Sequence, residues 1–368
     1  MNYFSLMNKD EKILDFSVEI DEYGDTLFEE EEPAGRLPYG YRDIQSFLNG
    51  RKAPSYRKHI SSLLAGAGIR TDVDFIFLTK ALSLNDTIWV KEEGTADTWA
   101  DVSLYQNPFN EVIARTAFDG IHPSAFSSQP SPEYSTDGMY AKCWVRTNDD
   151  IFLVKKPSQT HGTEIFSEVM ASELAKYFCS FSVSYYLADY HGNQVTICPI
   201  FTNEDIGFIP SYKFIKSGKR ENVSNLLNVY SQYESEDDFR RMLIFDALIL
   251  NEDRHSGNYG FLFSNNTGQI LGMSPVFDNN RSLLFDMQEY DEKTIRNKIP
   301  RLGGDFNVLA NKLLTPDIRS DLVNLRNFSF QYREGIPEKR LEMAEKLINS
   351  QIENILEGIP VHAYRTDL

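Results

Sequence analysis

Apolar residues recur along this chain in two rhythms, and the switch between them marks out its parts. Near the N-terminus, Tyr3 to Leu6 and Ile13 to Val18 alternate apolar and polar positions around the turn Asn8-Lys9-Asp10-Glu11, which predicts two short strands. Ile44, Phe47 and Leu48, then Ile60, Leu63, Leu64 and Ala67, fall at helical spacing and predict a helical pair over 41–66. Residues 73–115 read as short β-rich pieces, such as Asp86 to Val90, beside the aromatic segment Trp99 to Tyr105. These predictions make residues 1–121 a small α+β module.

A Ser- and Pro-rich stretch follows, and 122–134 reads as a connecting segment. Beyond it, 135–146 and 151–157 form an expected hairpin, 163–178 a helix with a wide apolar face, and 183–188 and 194–201 two further strands. The rhythm then becomes helical over 222–232, 236–250, 305–314, 317–327 and 338–357, interrupted by strand pieces at 259–263 and 269–273. The expected architecture is therefore α+β: the N-terminal module, a β-rich lobe at 135–203 and a helical lobe at 204–368.

Composition narrows the function classes. A length of 368 residues favours more than one core around a cleft, and 41% hydrophobic with 25% charged residues is ordinary for a folded globular chain. No apolar run approaches a membrane span and the first ten residues lack a secretory pattern, so no membrane is expected and a cytoplasmic location is. Cys143, Cys179 and Cys198 are too scattered for a disulfide framework or a zinc cluster. With 37 basic against 54 acidic residues the formal charge is -17, and no Lys/Arg run offsets it, so nucleic acid is not an expected partner. The acidic stretch 21–32 and the basic stretch Arg51 to His59 both read as solvated loops.

The candidate chemistry sits in Asn251-Glu252-Asp253-Arg254-His255-Ser256-Gly257-Asn258, directly after the apolar run Met242 to Leu250, with Asp278 following the 259–273 hairpin. Phosphoryl transfer from ATP requires a carboxylate at the acceptor hydroxyl, hard oxygen ligands for Mg²⁺ and a cation on the phosphates. Asp253 suits the first task, and Asn258 and Asp278 the second. His255 could orient Asp253 or serve the loop's own structure, and Arg254 reads as structural. For the cation, Lys155 and Lys156 end the 151–157 strand, and Glu168 or Glu173 on the next helix could pair with it. Gly138 could let the tip of the hairpin approach a phosphate.

The order Asn251-x-Asp253-x-His255-x-x-Asn258, followed by Pro275-x-Phe277-Asp278, resembles the HipA-like serine/threonine kinases, and more distantly the phosphatidylinositol 3- and 4-kinases. The resemblance runs from about residue 130 to the end. It implies a bilobal protein-kinase-like fold, ATP and Mg²⁺ as cofactors, and a protein Ser/Thr hydroxyl as acceptor. By the same resemblance Ser135, Gly138 and Lys142 form the nucleotide loop, Lys155 rather than Lys156 meets the phosphates, and Glu168 rather than Glu173 is its partner. It also implies that Ser135 is an autophosphorylation site. A small-molecule or lipid kinase, and a non-catalytic nucleotide-binding module, are the alternatives on the same fold. Residues 1–121 match no part of that pattern.

Overall fold

A computed structural model describes residues 2–23, 25–33, 37–121, 129–148, 150–215 and 222–362. The N-terminal part contains β1 (Asn2–Asn8), β2 (Glu11–Ile20), β3 (Thr26–Glu30), α1 (Ile44–Asn49), α2 (Ile60–Ala67), α3 (Asp72–Thr79), β4 (Ile88–Glu92), α4 (Trp99–Val102) and α5 (Glu111–Asp119). Its four strands form an antiparallel sheet in the order β3-β2-β1-β4, with Phe4 opposite Phe16. Three expectations need correcting here. The acidic stretch is not all loop: its centre is β3, where Phe28 pairs with Val18 and the glutamates stay solvated on the edge strand, a position that tolerates charge. Within 73–115 three segments are helices, α3, α4 and α5; Thr71 and Asp74 form a capping box on α3 and Asn110 caps α5, overriding their β-branched and aromatic content. The basic stretch is not a solvated loop, since Arg51 and Arg57 are buried, paired with Asp86 and Glu133 at 2.7 Å each.

Next come β5 (Lys142–Thr147), β6 (Asp150–Lys155), α6 (Glu164–Phe178), β7 (Tyr186–Tyr190) and β8 (Asn193–Pro199), with the strands ordered β5-β6-β8-β7. The inner face of this sheet, including Cys143, Val154 and Val195, joins one hydrophobic cluster with Phe16, Ile113 and Phe118 of the N-terminal part. Of the connecting segment, residues 122–128 lie outside the described set; Pro132–Tyr134 forms a buried 3₁₀ turn. Glu168 and Glu173 are both buried on α6.

The remaining elements are β9 (Ile206–Pro210), α7 (Ser211–Phe214), α8 (Val223–Ser231), α9 (Glu236–Ile249), β10 (Gly260–Ser264), β11 (Ile270–Met273), α10 (Glu292–Ile295), α11 (Phe306–Leu313), α12 (Pro316–Asn324) and α13 (Glu338–Glu357). The core gathers around α9, whose residues Met242 to Ile249 are all buried, and the expected stripe of α13 packs there through Leu341, Ala344, Leu347, Ile348, Ile352 and Ile355. The small sheet β11-β10-β9 lies beside it. At Gly260 a Cβ would come within 2.1 Å of the Ile209 carbonyl oxygen, so only glycine lets β10 lie this close to β9. Phe261 anchors the sheet to the helices, its ring centroid 4.5 Å from Tyr230 and 4.7 Å from Phe214. Among the described residues no helix is long and apolar enough to cross a membrane.

Phe261 is fully buried. Phe261→Ala is expected to cost about 3–5 kcal/mol, read as a lowered midpoint in urea denaturation followed by circular dichroism.

Candidate active site

Helix α9 stops because Leu250 turns into the left-handed region at φ 49°, while the N–H groups of Leu250 and Asn251 both reach the carbonyl of Asp246. The loop that follows is built around Arg254. Its guanidinium is fully buried and donates to the Asp246 carboxylate at 2.9–3.2 Å, to the carbonyls of Asn258 at 3.2 Å and Phe277 at 2.6 Å, and to the side chain of Asn279. One side chain thus joins the end of α9, the loop, and the segment that carries Asp278. Asn251 donates to Asp246 at 3.0 Å and accepts from the Asp253 N–H at 3.0 Å. The Asn258 amide donates to the Asp253 carbonyl at 3.2 Å, and the His255 ring accepts from the Gly257 N–H at 3.1 Å. His255 therefore braces the loop backbone.

Across the cleft, Lys155 at the end of β6 places its ammonium 2.8 Å from Glu168 and 2.9 Å from Asp278. The two lysines and two glutamates left open by spacing separate cleanly. Lys156 pairs with Asp119 at 3.1 Å, and Glu173 accepts the N–H groups of Gln331 and Tyr332 at 2.6 and 3.1 Å. Burial alone would raise the Asp278 carboxyl, but the ammonium groups of Lys155 and Lys142 overcome it and hold it well below the usual carboxylate range. Burial also pushes Glu168 up, against the pull of Lys155. Asp278 itself has φ 56°, a conformation uncommon outside glycine, and its N–H donates to the Tyr185 hydroxyl at 3.2 Å.

Lys142, opposite Lys155 in the β5/β6 register, donates to the Asp137 carbonyl at 2.9 Å. Gly138 has φ 96°, and a Cβ there would meet the Lys142 amine at 2.0 Å, so the glycine makes room for that lysine to pass under the loop. Burial lowers the Lys142 ammonium to about 8. Ser135 sits at the start of this loop and donates to the Pro132 carbonyl at 3.3 Å.

Nine of the residues singled out from the sequence line one cleft of about 640 Å³: Ser135, Gly138, Lys142, Lys155, Glu168, Asp253, His255, Asn258 and Asp278, whereas Asn251, Arg254 and Glu173 do not. Its apolar end is closed by Leu153, Phe201, Phe208 and Phe277, the three phenylalanines packed with ring centroids 5.3–5.6 Å apart. Three contributors escaped the sequence reading. Asp246 had a visible signal, a carboxylate inside an apolar helix, which requires a buried partner. Tyr185 carried none, and neither did Arg281, which lies 3.7 Å from the Asp253 carboxylate over the ring of Phe285. Hard oxygen donors for a small cation are few in this cleft. Among the described residues no three His, Cys, Asp or Glu side chains gather as a metal cage, while Asp278 and the side-chain oxygen of Asn258, which line the same cleft, could serve as two hard oxygen donors. A small hard cation held by so few protein atoms takes the rest of its shell from phosphates and water.

No protein-family model matches the chain, and no curated protein matches it in sequence. Among solved structures it is similar to HipA of Shewanella oneidensis MR-1, from a toxin–antitoxin complex with HipB and operator DNA: TM-score 0.58, 13% identity, covering 96% of this chain and 97% of that one. The Helicobacter pylori proinflammatory kinase CtkA aligns over 59% of this chain and 89% of its own, with TM-score 0.45 and 18% identity. The likeness to HipA runs almost from end to end, N-terminal part included, and the chain has a HipA-like kinase fold of α+β class.

Arg254→Met strands the Asp246 carboxylate in the core and is expected to cost about 3–5 kcal/mol, whereas Asp246→Leu with Arg254→Met together should cost less. Thermal melting of the two variants and their parent checks the order.

Proposed function

We propose that this protein is an ATP- and Mg²⁺-dependent phosphotransferase that acts on a Ser or Thr hydroxyl of a protein. The observation that carries the reading is the bridge from Glu168 through Lys155 to Asp278, in the same cleft as Asp253. A lysine held between two carboxylates cannot collapse onto either wall, and so presents a fixed positive charge to the α- and β-phosphates. Lys142 adds a second charge beneath the glycine loop. The phenylalanine-lined end suits a flat adenine ring. Bound Mg²⁺, on Asn258 and Asp278, would supply neutralisation of the phosphate oxygens.

Asp253 stands where an acceptor hydroxyl would enter. Its carboxylate takes the hydroxyl proton as the acceptor oxygen bonds to the γ-phosphorus, and the bond from that phosphorus to the bridging oxygen breaks to release ADP. The backbone contacts from Asn251 and Asn258 fix where that carboxylate starts, and Arg281 sets the charge beside it. Ser135, on the nucleotide loop, is the acceptor within the chain itself. The HipA-like fold, found in a toxin kinase that shares 13% of its residues, supports the reaction class without naming a target.

Labelled-phosphate transfer from ATP to the protein itself and to a cell lysate tests this. Asp253→Asn is expected to lower transfer by on the order of 10²–10⁴ while MgATP still binds, and equal labelling by parent and variant would refute the assignment. A second expectation concerns pH. Lys142 carries its proton below about 8 and loses it above, so MgATP affinity should weaken between neutral pH and about pH 9. Lys142→Arg keeps its charge across that range and should flatten the profile, as measured by calorimetric titration.

A further inference from the structure

The N-terminal part lines the cleft with residues of 49–56 and with Ser83 to Asn85, and the hydrogen bonds that leave its segment 53–58 go to the glycine loop. Arg57 makes the main ones. Its side chain is fully enclosed, donating to the Glu133 carboxylate at 2.7 Å, to the Glu133 carbonyl, and to the Lys142 carbonyl at 3.2 Å. Glu133 and Lys142 are the two ends of the loop, so one guanidinium closes it at its base. The other oxygen of Glu133 accepts the Trp144 N–H at 2.7 Å, which carries the clasp into β5. Three lighter contacts run along the loop: Ala53 N–H to the Tyr134 carbonyl at 2.8 Å, Lys58 N–H to the Met139 carbonyl at 3.1 Å, and the Tyr56 hydroxyl to Asp137 at 3.3 Å.

From this we infer that Arg57 is a positioning residue for the nucleotide loop, and that nucleotide affinity is set from the N-terminal part. The inference rests on the reading of the cleft as an ATP site. Residues 135–140 pair with no strand, Ala141 alone accepting the Lys156 N–H at 2.9 Å, so the path of the loop over the Lys142 ammonium depends on where its two ends are held. A guanidinium suits this task because its planar fork serves a carboxylate and two carbonyls at once; a lysine ammonium has the charge but not the reach in three fixed directions. Arg57 is thus accounted for by a task inside the protein.

The full-length protein is used for the test, as parent, Arg57→Met, Arg57→Lys and Phe16→Leu, the last loosening the N-terminal sheet without touching the loop. Hydrogen exchange by mass spectrometry follows residues 134–141, and calorimetry follows MgATP. Arg57→Met should speed exchange in the loop while strands β1 and β2 keep their protection, and should weaken MgATP on the order of tenfold or more, with Arg57→Lys between. Phe16→Leu should leave loop exchange and affinity as in the parent. MgATP affinity unchanged in Arg57→Met, or exchange rising equally across the N-terminal sheet, would overturn the inference, the second by making Arg57 a fold-holding residue. A parent that binds no MgATP refutes the ATP reading and the affinity part of the inference together; the exchange arm then still decides whether Arg57 holds the loop.

Discussion

Everything in the cleft depends on a charge that never reaches it. The Arg254 guanidinium is sealed in the core, and each direction of its fork ends on a different piece of chain: Asp246 on α9, the carbonyl of Asn258, and the carbonyl and side chain beside Asp278. A buried ion must have every donor satisfied, because an unpaired one costs several kcal/mol. The three pieces therefore cannot drift separately. Asp253 and Asp278 lie 25 positions apart in sequence, yet their backbones are held to the same planar group. An apolar side chain of equal volume could fill the space but would set no register between the segments.

The parts legible in the sequence were those with a period. The alternation in β1 and β2, the buried run of α9, and the stripe of α13 were read with ends within a few residues. The loop Asn251 to Asn258 was legible through residue type and order. What failed was whatever tertiary context decides. Glutamates of 26–30 look solvated, and are, but the backbone beneath them pairs with β2. Arg51 and Arg57 look like surface cations until Asp86 and Glu133, 35 and 76 residues away, arrive to neutralise them. Spacing left Glu168 and Glu173 equivalent, since both are on one helix; only the fold shows one facing Lys155 and the other capping the backbone at Gln331.

Charge adds a constraint of its own. The chain carries a formal charge of -17, yet Lys52, Lys142, Lys155, Lys156, Lys213 and Arg281 line the cleft against the carboxylates Asp137, Glu164, Glu168, Asp253 and Asp278, so the cleft does not share the acidity of the whole. At physiological salt the acidic exterior is screened beyond about 8 Å, whereas the lysines inside act at contact distance in a poorly solvated space.

The N-terminal part also spans both walls of the cleft. It shares a hydrophobic cluster with β5, β6 and β8, while Asn85 accepts the Phe208 N–H at 2.7 Å, Asn8 donates to the Asn265 carbonyl at 2.7 Å and Tyr39 to that of Gly268 at 2.7 Å. A body fastened to both leaves of a hinge takes away the hinge's freedom. Swinging one sheet away from the other would have to tear those contacts, so the N-terminal part acts as a spacer that fixes how wide the cleft between the two sheets stands.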